Sequence, residues 1–284
     1  MKYVFFGSPR FASIVLEGLL RNGMIPAALV ANPDRPVGRK KTVTPPLTGQ
    51  LIAAAAPGVA VLQPEKLDEE FCRALRTLQP DLFVVAAYAK IIPQAVLDIP
   101  RLGTVGVHPS LLPRYRGSSP IQSAILAGEE ETGVTLYHMD AKMDHGPILG
   151  GARIPLYSIT TSYAALEKKL AGTAGALLAE LLPRMMAGTV RPEPQDEAAA
   201  TYTKKFTRED GEVSAENFAK AKGGDKKMAQ AVVRMVNALG AEPGVWTAEN
   251  GRRLKLLEVK LEKDALAPLI VQEEGGRPKA YRSS

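Results

Sequence analysis

The most informative stretch, Gly103 to Gln122, reads GTVGVHPSLLPRYRGSSPIQ. Thr104 to Val107 is a short β-prone run that ends at His108, after which Pro109 opens a loop rich in proline and glycine. Imidazole suits proton transfer or oxyanion stabilisation near neutral pH, and such chemistry lies at strand ends in open α/β sheets. The pattern therefore predicts a functional site where this strand ends.

A second stretch, Met139 to Gly146, reads MDAKMDHG and contains Asp144 followed by His145. We expect the carboxylate of Asp144 to hold the imidazole of His108. An adjacent Asp-His pair without a third ligand at helical or turn spacing is weak evidence for a metal ion. The site is therefore predicted to be free of metal.

Composition and charge limit the possible classes of protein. With 284 residues and 45% hydrophobic content, the chain has room for one large domain and a smaller companion. The net charge of +6 suits contact with a polyanion, although many basic proteins bind no nucleic acid. A single cysteine, Cys72, favours a reducing compartment, and no apolar run is long enough for a signal peptide or a membrane span. These features predict a soluble protein of the cytoplasm with no membrane partner.

The rest of the chain alternates strand-like and helix-like stretches, which predicts an α/β fold with an open, mostly parallel sheet. Before the histidine loop the predicted strands are Tyr3 to Phe6, Ala27 to Ala31, Val59 to Leu62 and Asp81 to Ala87, and the predicted helices are Phe11 to Arg21, Leu47 to Ala56 and Asp68 to Leu78. After it we expect helices at Pro120 to Ala127 and Thr160 to Met186, and strands at Gly133 to Met139 and Ile148 to Leu156.

Composition changes near residue 188. Gly188 to Ala200 is rich in Pro, Glu and Ala and is the best candidate for a linker. Beyond it Met228 to Leu239 is expected to be helical, and PGVWT, RRLKLLEVKL and PLIVQ are typical of short strands. The predicted domains are therefore 1–187 and 201–284, joined by 188–200.

A basic segment, Asn32 to Pro46, interrupts the α/β pattern. Its cationic residues outnumber its single acid, Asp34, and its prolines and glycine predict an exposed loop with little regular structure. The cations are Arg35, Arg39, Lys40 and Lys41. From charge alone the segment is either a solvated loop or a contact for phosphates.

The strings VHPSLLPRYRG, ETGVTL and MDxxMDHGPIL resemble the formyl-donor half of the folate-dependent formyltransferases. The resemblance covers residues 1 to about 195 and continues more loosely to the C-terminus. It implies a Rossmann-like catalytic domain that transfers a formyl group from 10-formyltetrahydrofolate to an amine, without a metal or a covalent intermediate. His108 would stabilise the developing oxyanion, and Asp144 would orient the imidazole and organise a proton-carrying water.

The resemblance also implies which residues bind the folate donor. By position these are Tyr88, Ala89, Lys90, Ile91, Ile92, Ser110, Leu111, Leu112, Pro113, Met139 and Asp140. Arg114 and Arg116 would meet either the glutamate tail of the folate or phosphates of the acceptor.

The basic segment resembles the loop that members acting on methionyl-tRNA insert against the acceptor stem. The C-terminal region resembles the small, β-barrel-like domain of OB type found in the same members. The expected acceptor is therefore initiator methionyl-tRNA, bound by a monomer through Arg35, Arg39, Lys40, Lys41, Arg114 and Arg116. The alternatives are a small amine, such as a nucleotide-linked amino sugar, and a folate- or tRNA-binding relative with little turnover.

One position departs from the family pattern. The family places asparagine two residues before the histidine, where its amide holds the formyl oxygen, and this chain has Gly106. Loss of one oxyanion donor typically costs about 10²- to 10³-fold in rate. A replacement donor is therefore expected among the hydroxyls of Ser110, Ser118 and Ser119, a backbone N–H, and His145. Gly106→Asn is expected to raise the activity if only the donor is missing.

Overall fold

The computed structural model describes residues 1–37, 41–249 and 251–282. In chain order its strands are β1 Tyr3–Phe6, β2 Ala28–Val30, β3 Arg35–Val37, β4 Thr42–Thr44, β5 Ala60–Leu62, β6 Leu82–Ala86, β7 Thr104–His108, β8 Arg116–Gly117, β9 Glu131–His138, β10 Ile148–Pro155, β11 Tyr202–Thr203, β12 Val245–Glu249, β13 Arg252–Glu262, β14 Ala265–Glu273 and β15 Lys279–Ala280. The helices are α1 Arg10–Arg21, α2 Leu47–Ala55, α3 Glu69–Thr77, α4 Gln94–Leu97, α5 Pro120–Ala127, α6 Tyr163–Met186, α7 Ala215–Lys222 and α8 Lys226–Leu239.

Residue contacts divide the chain into two compact units. The first comprises Met1–Arg116, Gly133–Arg153 and Glu167–Thr201. The second comprises Gly117–Thr132, Ile154–Leu166 and Tyr202–Ser284. The assignment of 1–187 to catalysis and 201–284 to tRNA binding stays a prediction.

A seven-stranded sheet forms the centre of the first unit, in the order β10-β9-β7-β6-β1-β2-β5. The five strands from β7 to β5 are parallel to their neighbours, and β9 runs antiparallel to β7. The predicted α/β class with a mostly parallel sheet is confirmed. Because β6 and β7 run side by side, His108 is at the carboxyl edge of the parallel strands, where ligands of such folds bind.

The local sequence explains the central strands and their covering helices. All four residues of β1 and all five of β6 are buried, as expected for parallel strands covered on both faces. Asp68 directly precedes helix α3, and its carboxylate accepts a hydrogen bond from the Phe71 N–H at 3.1 Å and so caps the first turn. In the described part of the chain, no helix combines the length and the apolar character needed to cross a membrane.

The second unit contains an antiparallel sheet in the order β12-β13-β14-β15, which confirms the strands predicted in this region. Its buried apolar positions include Leu254, Leu256 and Val271, and helix α8 buries Val232 and Leu239. We expected a barrel-like arrangement. Among the described residues β12 and β15 are the first and last strands of this sheet, with α7 and α8 packed on it, and Glu212 forms an isolated bridge to Trp246 of β12. Closure into a barrel stays a prediction.

The basic segment is more regular than its composition predicts. Strands β3 and β4 pair antiparallel, with Arg35 opposite Thr44, so the segment is a short hairpin. Arg35 and Lys41 are exposed. Arg39 and Lys40 lie outside the described residues.

Candidate functional site

Strands β7 and β9 bring the central residues of the site onto one face of the sheet. Gly106 lies directly opposite Tyr137, and Val105 lies opposite His138. Side chains two residues apart in a strand share a face, as do directly opposed residues of an antiparallel pair. Gly106, His108 and Tyr137 therefore share one face, and His138 lies on the other.

His108 is almost completely buried and both of its ring nitrogens face oxygen atoms. Its Nε2 donates a hydrogen bond to the carbonyl oxygen of Tyr115 at 2.8 Å. A carbonyl can only accept, so Nε2 carries a hydrogen in this arrangement. Nδ1 lies 3.6 Å from Oδ2 of Asp144, a distance too long for a good hydrogen bond. The predicted pairing of His108 with Asp144 is thus present in the geometry.

Asp144 connects the histidine to a second group, the phenol of Tyr137. The Tyr137 hydroxyl donates to Oδ1 of Asp144 at 2.7 Å, while Oδ2 faces His108. The backbone carbonyl of Asp144 accepts from the Gln195 side chain at 2.9 Å. Asp144 has a φ of 50°, a left-handed conformation that aspartate tolerates better than most residues and that is worth noting at a functional site. The three side chains form a continuous His108–Asp144–Tyr137 array.

Tyr137 occupies the space beside Gly106. A Cβ atom on Gly106 would lie 2.4 Å from Cε1 and 2.5 Å from Cζ of the ring, distances at which atoms overlap. Burial, and next the negative charge of Asp144, raise the pKa of Tyr137 well above its usual value. The phenol therefore keeps its hydrogen at neutral pH and can act as a hydrogen-bond donor.

The turn that follows His108 is fixed by hydrogen bonds. The Ser110 hydroxyl donates to the Arg114 carbonyl at 2.6 Å, and the Thr135 hydroxyl donates to the Ser110 carbonyl at 2.8 Å. Thr135 also accepts from the Leu112 N–H at 3.0 Å, and Leu112 is buried. The side chain of Leu111 packs against Gly133. These bonds link the predicted donor-binding turn to strand β9.

The two arginines of this turn differ in exposure. Arg114 is exposed, and its guanidinium lies 5.2 Å from the centre of the Tyr115 ring. Arg116 has no exposed surface, since its guanidinium donates to Gln195 at 2.8 Å and to Glu197 at 2.6 and 3.0 Å. These bonds hold the pKa of the Glu197 carboxyl below its usual value. The expectation that Arg116 contacts phosphate is therefore wrong for this conformation, because the side chain is enclosed and already bound.

His145 forms a separate group beside the array. Its Nδ1 donates to Oδ2 of Asp140 at 2.7 Å, and its Nε2 lies 3.6 Å from Glu197. Asp140, predicted to bind the donor, also accepts from the Lys142 N–H at 2.9 Å. In the described parts of the chain, no group of three or more His, Cys, Asp and Glu side chains is arranged to hold a metal ion.

The residues of the predicted donor-binding loop, Tyr88 to Ile92, differ in burial and in hydrogen bonding. The Tyr88 hydroxyl is buried and has no hydrogen-bond partner among the described residues, and burial raises its pKa to about 12. Lys90 donates to the backbone carbonyls of Pro64 and, at 2.8 Å, Glu65. Ala89 is exposed, Ile91 is the most exposed large apolar residue of the described chain, and Ile92 is buried. Met139 packs against the same core cluster as Tyr88.

Four residues of the site were not predicted from the sequence. Tyr137 was interpreted only as part of a strand, Tyr115 only as part of the turn, and Gln195 and Glu197 only as part of a linker. A glycine opposite a large polar aromatic residue is a usable signal, but it appears only when the strand register is known.

Comparison with known proteins identifies related sequences over most of the chain. A family model described as "Formyl transferase" matches residues 1–182. The methionyl-tRNA formyltransferase of Chloroflexus aggregans is 41% identical over 259 residues, covering 90% of this chain and 79% of the relative.

Two solved structures share the fold. The methionyl-tRNA formyltransferase from Clostridium thermocellum has a TM-score of 0.61 at 15% identity and covers 96% of this chain and 99% of its own. HypX from Aquifex aeolicus, in complex with tetrahydrofolic acid, has a TM-score of 0.67 at 18% identity and covers 99% of this chain and 46% of its own.

Proposed function

The chain belongs to the formyl transferase family, and on this premise we propose that it transfers a formyl group from 10-formyltetrahydrofolate to the amino group of initiator methionyl-tRNA. The observation that carries the chemistry is the contact between His108 and Asp144 at the carboxyl edge of the parallel strands. The relatives that cover most of the chain support methionyl-tRNA as the acceptor.

Formyl transfer joins the amine nitrogen to the formyl carbon and breaks the bond from that carbon to the donor nitrogen. One proton leaves the amine and one reaches the donor nitrogen. The carbonyl electrons pass to the formyl oxygen and then return, so the site must stabilise an oxyanion and move a proton. A bound folate supplies the formyl carbon and the leaving nitrogen.

His108 and Asp144 divide these tasks. The Nε2 hydrogen of His108 becomes available to the oxyanion when the formyl oxygen replaces the Tyr115 carbonyl as its acceptor. Asp144 holds the other side of the imidazole and provides a carboxylate that can bind the water that carries the proton. Burial of His108 keeps bulk solvent away from this exchange.

The described residues fit a folate donor in one specific respect. The Tyr88 hydroxyl is buried without a partner, and a buried hydroxyl is costly unless it is hydrogen-bonded. A polar atom of the donor would satisfy it. The proposed donor-binding residues remain Tyr88, Ala89, Ile91, Ile92, the turn at 110–113, Met139 and Asp140. Lys90 contributes by holding the loop to the carbonyl of Glu65.

The tRNA is proposed to contact the basic hairpin and Arg114. Arg35 and Lys41 are exposed at the hairpin, and phosphate contacts need exposed cations. Arg39 and Lys40 belong to the same proposal from the sequence, and Arg116 is left out because it is enclosed. The protein is proposed to act as a monomer in the cytoplasm, where charged initiator tRNA is used.

The proposed reaction is tested by single-turnover formylation of charged initiator tRNA with 10-formyltetrahydrofolate in excess. We expect the formyl group on the methionyl amine. A parallel reaction offers a nucleotide-linked amino sugar as acceptor. Transfer to the sugar but not to the tRNA, by a protein shown to be folded, would reject the proposed acceptor.

Reversing the charge of the hairpin is expected to weaken tRNA binding. In Arg35→Glu/Lys41→Glu, each lost phosphate contact should reduce the slope of log affinity against log salt by about one. The measurement is filter binding of the tRNA at several salt concentrations. The control is Lys168→Glu/Lys169→Glu on α6, whose lysines are also exposed and whose change in net charge is the same. Equal losses in the two variants would attribute the effect to net charge and not to the hairpin.

A further inference from the structure

Gly106 and Tyr137 fit each other as a pair. The ring of Tyr137 fills the volume that any side chain at position 106 would need, with ring carbons 2.4 and 2.5 Å from a Cβ there. The two residues are directly opposed across β7 and β9, so this fit is set by the sheet register. A tyrosine in this orientation is compatible with glycine at 106 and with no larger residue.

The hydroxyl of Tyr137 lies where a side-chain amide at position 106 would reach. The amide nitrogen of an asparagine is two bonds beyond Cβ, about 2.4 Å from it. The Tyr137 hydroxyl oxygen is 2.8 Å from the Cβ position of residue 106. Residue 106 has no side-chain donor, but the Tyr137 hydroxyl of the neighbouring strand lies where that donor would be.

The alternative side-chain donors expected from the sequence have partners of their own. The Ser110 hydroxyl donates to the Arg114 carbonyl, and His145 donates to Asp140. The hydroxyls of Ser118 and Ser119 lie 3.4 Å from each other. The Tyr137 hydroxyl also has a partner, Asp144, but that partner belongs to the same array as His108.

We infer that the Tyr137 hydroxyl is a catalytic donor that stabilises the formyl oxygen as negative charge develops, in place of a side chain at position 106. The inference rests on the proposed formyl transfer. A hydroxyl hydrogen turns about the Cζ–O bond, so the donor passes from Oδ1 of Asp144 to the oxyanion without movement of the ring. The phenol keeps its hydrogen throughout, because the proton that leaves the amine is carried by the water that Asp144 binds. Asp144 remains opposite Nδ1 of His108.

Tyr137→Phe tests this role, because it removes one oxygen and keeps the ring that fills the space over Gly106. We expect the single-turnover rate constant for formyl transfer to fall about 10²- to 10³-fold, since one oxyanion donor is lost. The Kd for tRNA and the Kd for folate should stay within about threefold, because the interaction is made only in the transition state. A rate within about threefold of that of the unmodified protein would overturn the inference.

Tyr3→Phe is the matched control for the loss of a buried hydroxyl. The Tyr3 hydroxyl donates to the Met24 carbonyl at 2.7 Å, the same length as the bond from Tyr137 to Asp144. Tyr3 lies in β1 and not in the site. The melting temperature should fall in both variants, and the rate should fall only in Tyr137→Phe. A similar loss of rate in both would overturn the inference by showing a general effect of stability.

A double variant asks whether an amide can replace the phenol. Tyr137→Leu removes the donor and makes room, so we expect it to be at least as slow as Tyr137→Phe. Adding Gly106→Asn places an amide in the vacated space, and we expect recovery of at least about tenfold over Tyr137→Leu. If Tyr137 only positioned Asp144, an amide at position 106 would not restore the rate. A folded double variant with no recovery therefore counts against the donor role.

The outcomes separate this inference from the proposed function. If the unmodified protein formylates methionyl-tRNA and Tyr137→Phe is equally fast, only the inference fails. If the unmodified protein formylates the amino sugar instead, the proposed acceptor fails, and the Tyr137→Phe comparison is made on the sugar, because the same oxyanion forms. If the unmodified protein is inactive with both acceptors and the double variant is active, Tyr137 does not replace the missing donor. If neither protein is active with either acceptor, both proposals fail.

Discussion

Replacing His108 with alanine is expected to slow single-turnover formyl transfer about 10²- to 10⁴-fold, the range for loss of a positioned proton-transfer or donor group. The buried imidazole connects the Tyr115 carbonyl to Asp144, and alanine can contact neither. The Kd for tRNA should change little, because the proposed tRNA contacts lie on the basic hairpin and Arg114. The measurement is rapid quench with 10-formyltetrahydrofolate in excess over enzyme-bound charged tRNA.

His138 provides the matched control for this prediction. It is the last residue of β9, directly after the buried run Thr132–Tyr137, but it lies on the opposite face of the sheet from His108. His138→Ala removes the same imidazole and is expected to keep the rate within about threefold. A His108→Ala protein that is folded and as fast as His138→Ala would contradict the assigned role of His108.

The contact between His108 and Asp144 was predictable because both residues lie in stretches that resemble the formyltransferases. A β-prone run ends at His108, and the MDAKMDHG stretch follows the next predicted strand. Strand order alone does not bring them together, because β9 runs antiparallel to β7 and its last residue, His138, lies opposite Val105 and not beside His108. Whether the imidazole and carboxylate meet at hydrogen-bond distance was not predictable, and the observed 3.6 Å is a longer contact.

The part played by Tyr137 could not be predicted in the same way. Residues Gly133 to Met139 have the pattern of a buried strand, which fixes neither the partner strand nor the register. The opposition of Gly106 and Tyr137 follows only from the antiparallel pairing of β7 with β9. Gly106 looks like a missing donor in the sequence, but in the structure it makes room for Tyr137, which is 31 positions later in the chain.

Arg116 illustrates a second limit of local pattern. It lies in a basic, aromatic loop, which favours solvent exposure and phosphate contact. Its partners, Gln195 and Glu197, are 79 and 81 residues further along, in a stretch whose composition predicts only a linker. Burial of an arginine depends on distant oxygen atoms that satisfy its planar guanidinium, and no local window contains them.

Gly106→Asn is expected to reduce activity sharply instead of restoring it, contrary to the expectation from the sequence alone. Any Cβ at this position would overlap Cε1 and Cζ of Tyr137, so the ring must leave its position or the strands must separate. Overpacking of this kind costs about 1–3 kcal/mol in the free energy of unfolding and sometimes more. Displacing the ring also breaks the bond from Tyr137 to Asp144, so the rate should fall at least as far as in Tyr137→Phe, about 10²- to 10³-fold.

Gly150→Asn is the control that isolates this steric argument. Gly150 lies in β10 of the same sheet, and a Cβ there would have no heavy atom within 4 Å. Thermal unfolding and single-turnover rates of the two variants are to be measured together. Gly150→Asn should resemble the unmodified protein, because its added side chain meets open space. A Gly106→Asn protein that is faster than the unmodified one would show that the ring of Tyr137 yields easily and that an amide is the better donor. In that case the glycine is a defect that this chain tolerates, whereas the predicted loss would mean that Gly106 is required by the tyrosine opposite it.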